Sequence, residues 1–140
     1  MDFEYLEHTA DIKFRAYGNT WEDVFKNASK AMLKVMINID SLKSEIEIEI
    51  KARASTLDEL VVAWLNELLF QSETEQIIFK EATVEKIWQE GGKWYVRGKA
   101  NGEKLNENME FKTEIKAVTY HQLEVGEADG RKFCQITVDI

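Results

Sequence analysis

Proline is absent from the 140-residue chain, glycine occurs seven times and cysteine once. Without proline- or glycine-rich stretches nothing marks a flexible linker, and one domain over 1–140 is expected. The lone thiol, Cys134, excludes an internal disulfide and a four-cysteine zinc site. It fits a reducing compartment. No basic segment followed by an apolar run opens the chain, so no secretory signal is expected, and the longest apolar stretches fall short of a membrane span. Cations are scarce too: 18 Lys and Arg face 26 Asp and Glu, for a net charge of −8. Such a surface repels phosphate backbones, so direct stable nucleic-acid binding is not expected unless a local basic patch offsets it. These absences describe a cytoplasmic protein with no membrane contact. Its acidity can steer it to a basic partner or collect cations, or simply keep it soluble.

What is present is a strong alternation of elements. A chain of this length buries roughly two-thirds of its unfolded surface, enough for a core without staples. Over residues 11–17, Ile12, Phe14 and Ala16 face one way while Asp11, Lys13 and Arg15 face the other. Gly18-Asn19 turns the chain, and Thr20 caps a helix reaching about residue 37, with Val24, Phe25, Ala28, Met32 and Val35 at helical spacing. "SEIEIEIKARA" (Ser44–Ala54) alternates strictly, as a strand with one wet face does. Thr56 and Glu59 form a capping box for a second helix, apolar over most of its circumference and therefore central to the core. Two hairpins follow, turning at Gly91-Gly92 and Asp129-Gly130, with a long loop near 101–112. The order is β-α-β-α-β-β-β-β. It predicts an α+β domain, a mostly antiparallel sheet with two helices packed on one face.

Nucleophile and phosphate-loop motifs are missing: there is no GxSxG, HExxH, Walker loop or GxGxxG. Cys134 shares a strand face with Ile136 and Val138 and reads as a small buried hydrophobe. The two ends of the chain are more suggestive. Asp11 lies on the polar phase of the first strand and Asp139 on that of the last. If those strands are neighbours, both carboxylates meet at one sheet end beside the α-carboxylate of Ile140. Three anionic groups that close repel unless a proton or cation lies between them, and oxygen ligands favour Ca²⁺, Mg²⁺ or Mn²⁺ over zinc. The plainer alternative has Asp11 capping a turn and the C-terminus fraying in water. His8 is an additional candidate, as ligand, as base beside Asp11, or as a structural side chain. A metal-dependent hydrolase using Asp11, Asp139 and His8 stays open on these residues, as does a binding module whose cation merely pins the C-terminus.

Four blocks carry a family resemblance. "EHTADI" (Glu7–Ile12), "ELVVAWLNELLF" (Glu59–Phe70), "EIKAVTYHQLEV" (Glu114–Val125) and the closing "ITVDI" (Ile136–Ile140) resemble archease, and together they span nearly the whole chain. The resemblance implies a small α+β protein that assists the RtcB-type RNA ligase of tRNA splicing. It implies no catalysis of its own, but promotion of ligase guanylylation, multiple turnover and wider nucleotide use. It also implies a divalent cation, calcium first and magnesium or manganese as alternatives, held by Asp11, Asp139 and the carboxylate end of Ile140, with His8 in the same motif. A chaperone-like modulator of a tRNA-methylating enzyme is the family's weaker association.

Overall fold

The computed structural model describes residues 1–6 and 11–140. Strand β1 (Phe3–Leu6) precedes β2 (Ile12–Gly18), then come α1 (Trp21–Met36), a 3-10 turn at Ile39–Ser41, β3 (Ile46–Ala54) and α2 (Leu57–Glu75). The long hairpin β4 (Ile77–Glu90) and β5 (Lys93–Lys104) leads to a second one, β6 (Ala117–Ala128) and β7 (Arg131–Asp139). Strand β1 was not expected; four residues of "FEYL" are too few to show a period. It pairs antiparallel with β2 from Phe3↔Ala16 to Leu6↔Lys13.

Both helices start where their caps dictate. The Thr20 hydroxyl accepts the Asp23 N–H at 3.1 Å, and Thr56 accepts the Glu59 N–H at 3.3 Å. Helix α1 buries Val24, Phe25, Ala28, Met32 and Val35, and α2 buries Leu60, Val61, Val62, Trp64, Leu65 and Leu68. The indole N–H of fully buried Trp64 donates to the buried Ser29 hydroxyl at 2.8 Å, which pins the helices together and satisfies a donor that would otherwise be costly. Asn66 exchanges two hydrogen bonds with the Val118 backbone (3.0 and 2.9 Å), giving edge strand β6 a partner from α2.

The α+β class and the antiparallel pairing are as expected, but the strands form two sheets, not one. One runs in the order β1-β2-β7-β6 and the other β3-β5-β4. Each helix packs against strands of both sheets, so the helices do not sit on a single open face. That explains why α2 is apolar nearly all round: it needs apolar neighbours on two sides. The fit is close at Gly98 of β5, where an added Cβ would stand 2.0 Å from the Thr83 carbonyl oxygen and 3.0 Å from the Trp64 ring. Among the described residues, no helix is long and apolar enough to cross a membrane.

Cys134 lies fully buried on β7, as its strand phase implied. Burial pushes its thiol up to about 12, against an ordinary value of 9.0. Thiol reagents at neutral pH should therefore leave the native protein unmodified and label it once unfolded. Between about pH 9 and 12 the unfolded thiol ionises while the native one keeps its proton, so this group lowers stability as pH rises. Cys134→Ala should lose that component of the pH dependence. Rapid labelling of the native protein would show that β7 is not sheathed.

Candidate functional site

One end of the four-stranded sheet, where β2 begins and β7 finishes, brings the two chain ends together. The strands are antiparallel neighbours with the register Ile12↔Val138, Lys13↔Thr137, Phe14↔Ile136. The register ends at Ile12↔Val138: Asp11 directly precedes Ile12, and Asp139 directly follows Val138 as the last residue of β7. On the other side of β7, Ala117 of β6 stands opposite Asp139, and the Lys116 N–H donates to the Asp139 carbonyl at 2.8 Å. These bonds hold β7 in the sheet up to Asp139. The Asp139 side chain is exposed, and Ile140 is 38% exposed beyond it.

Strand alternation reaches less far at Asp11. The residue occupies a bend before Ile12, so the phase of β2 does not set the direction of its side chain. It borders a cavity of about 490 Å³ together with Tyr5, Ile12, Lys34 and Lys112, which Asp139 and Ile140 do not line. The Tyr5 hydroxyl donates to the Ala31 carbonyl at 2.9 Å, and burial raises its pKa, keeping it a neutral donor. Lys112 donates to the Lys34 carbonyl at 3.1 Å, near the C-terminal end of α1 where a cation offsets the helix dipole. Asp11 thus stands between the sheet end and a cavity edged with ammonium groups.

The donors at this sheet end are all oxygen, a set that suits a hard cation and not a soft one. Among the described residues, no three His, Cys, Asp or Glu side chains group as metal ligands. Calcium takes about six to eight oxygens, so water, main-chain or partner groups would have to complete any shell. His8 lies outside the described residues.

A feature beside this end was not anticipated. Strand β6 pairs Thr119 with Thr137 and next Glu124 with Gln135, so Tyr120, His121, Gln122 and Leu123 bulge against Ile136 alone. Gln122 is left-handed, with φ of 52°. Its carbonyl accepts from Gln135 and its side-chain oxygen from Lys13, each at 2.8 Å, which ties the bulge to β2 and β7. The His121 N–H donates to the Thr119 hydroxyl, and Tyr120 projects outward. Beneath the bulge the hydroxyl of Thr137, buried two residues before Asp139, has no hydrogen-bond partner among the described residues. The signal in the sequence is "TYHQ", where alternation lapses. Bulges of this kind re-aim side chains next to functional sites.

Residues 3–140 match the Archease protein family (MTH1598/TM1083). The chain belongs to the archease family. The Methanosarcina mazei protein called archease is 46% identical over 99% of this chain and 95% of its own length. The Pyrococcus furiosus archease is 39% identical, over 99% and 98%. Protein 1598 of Methanobacterium thermoautotrophicum, solved in solution, has a TM-score of 0.86 at 32% identity, covering 99% of each chain. A Thermotoga maritima crystal structure, described as an archease and possible chaperone, shares the fold, with a TM-score of 0.58 at 21% identity over 96% and 94% of the two chains.

Proposed function

We propose that this archease-family protein is a non-enzymatic, cytoplasmic activator of an RtcB-type tRNA-splicing RNA ligase. In this reading it promotes guanylylation of the ligase and its repeated turnover. The observation that carries the reading is the pairing of β2 with β7, which sets Asp11 and Asp139 at one sheet end next to Ile140, the positions that the resemblance to archease assigns to a cation. Asp11, Asp139 and the carboxyl end of Ile140 hold the divalent cation, calcium first, with magnesium or manganese as alternatives. When bound, the cation neutralises these carboxylates and supplies a Lewis acid for phosphate oxygens. The net charge of −8 is complementary to a basic nucleotide pocket, which speeds encounter and sets orientation. Docking there favours the ligase conformation in which its nucleophile, phosphate and metal align.

The test is guanylylation and ligation by the cognate ligase with this protein added at substoichiometric amounts. Turnover should rise several-fold, while the protein alone hydrolyses no nucleotide and ligates no RNA. Nucleotide hydrolysis without the ligase, lost in Asp11→Asn, would instead favour a metal-dependent hydrolase. A rescue of tRNA methylation with no effect on ligation would favour the chaperone-like role.

A further inference from the structure

The net charge of −8 conceals a patch of the opposite sign on the outer face of the three-stranded sheet. Lys51 of β3, Arg97 of β5 and Lys86 of β4 stand directly across from one another in a single row. The next row is Arg53, Tyr95 and Trp88, and Lys99 lies one pair further along on the other side. All five cations are exposed. Like charges set opposite on adjacent strands destabilise a sheet. The same face shows the ordinary solution elsewhere, for Glu49 stands across from Lys99. A three-strand cationic row in a protein with an excess of acids is therefore a cost carried on the folded surface. An anion bound there would relieve it. Lys51 reaches Glu49 at 3.2 Å, whereas Arg53, Lys86, Arg97 and Lys99 form no ion pair among the described residues.

Two aromatic rings lie among these cations. Trp88 and Tyr95 stack with centroids 5.4 Å apart and planes at 17°, and the Lys86 ammonium sits 5.0 Å from the Trp88 centroid. The indole N–H points to Glu90 at 3.4 Å, at the hairpin end of the patch. A cavity of about 490 Å³ opens between Lys51, Arg53, Trp88, Tyr95 and Arg97. Both rings are only partly buried. Cations alone would suit any polyanion. Flat aromatic faces among cations, on the open side of an antiparallel sheet, suit a polyanion that also carries planar bases, and single-stranded RNA is recognised on such sheets.

We propose that this face binds single-stranded RNA, with Lys51, Arg97 and Lys86 on phosphates and a base extending the Trp88–Tyr95 stack. The surface is separate from the end of the other sheet where Asp11 and Asp139 lie, and the inference stands apart from the ligase reading. Because the whole molecule is acidic, binding should be modest, with a Kd of roughly 1–100 μM at low salt. Neutralising about three phosphates should make log K fall with log salt at a slope of about −2.

The experiment is fluorescence anisotropy with end-labelled oligo-U and oligo-A of about twelve nucleotides, with no ligase present. Wild type should bind both, Arg97→Glu and Lys86→Glu should each weaken binding about tenfold or more, and Trp88→Ala should weaken it about five- to a hundredfold. Lys26→Glu, an exposed charge reversal on α1, should matter little, and circular dichroism should confirm that every variant folds. No binding by wild type, or a loss in Lys26→Glu equal to that in Arg97→Glu, would overturn the proposal. So would preference for oligo-dT of the same length, or equal competition by poly-aspartate, which would assign the patch to DNA or to an acidic protein segment.

Discussion

Extending the chain past Ile140 by Gly-Ser-Gly should abolish divalent-metal binding and ligase activation together. The tail turns the carboxylate of Ile140 into a neutral amide carbonyl and fills the space behind it, at a residue that is 38% exposed and able to accept an extension without disturbing the core. Asp139→Asn and Asp11→Asn each remove one charge while keeping shape. Hard-cation affinity follows ligand charge and geometry, so each should weaken binding by an order of magnitude or more. Asp129→Asn is the control. It lies in the β6–β7 turn with φ of 54°, a left-handed conformation that asparagine adopts readily, so it should change little. An ion bound only to the folded state adds stability by mass action, so the three site variants should melt lower than wild type in calcium but alike in chelator. Calorimetric titration with Ca²⁺ and Mn²⁺ beside a guanylylation assay decides the matter. A tailed protein that binds metal and activates as well as wild type would remove Ile140 from the site.

Leu65→Ala should lower stability by about 2–5 kcal/mol, the usual range for truncating a fully buried leucine and leaving its cavity. Leu65 is 0% exposed on α2, the helix that touches both sheets, so neither side can close over the gap without moving the other. For a domain of this size the loss amounts to a melting point lower by about 7–17 °C. Phe70→Ala on the same helix removes a larger side chain, but one that is 59% exposed, and should cost far less. The folded fraction of the Leu65 variant should keep whatever divalent-metal affinity wild type has, because the Leu65 side chain is fully buried in the core, whereas Asp139 is exposed. A melting point unchanged in Leu65→Ala would mean that α2 is not packed between the sheets.

The local elements were legible in the residues because each is set by short-range chemistry. Thr20 and Thr56 stop the chain and cap helices, alternation along Ile46, Ile48 and Ile50 makes a strand, and glycine or aspartate at left-handed positions closes the hairpins. Burial of Cys134 followed from its phase with Ile136 and Val138. Both end carboxylates could be named from the residues, Asp139 correctly as a member of a strand phase, Asp11 not, because it occupies a bend that the alternation of β2 does not govern. Whether they share a place could not, because pairing between residues more than a hundred positions apart leaves no periodic trace. The β2–β7 register brought together the strand ends that they flank. The division into two sheets and the bulge at Tyr120–Leu123 were likewise tertiary decisions: edge strands choose partners by packing across the helices, and a bulge is the slack left when two registers on one strand must both be kept. Net charge is the sharpest case. It summed 44 charged Lys, Arg, Asp and Glu side chains into −8, while the fold sorted five of the cations onto one face of one sheet, where only strand register could gather them.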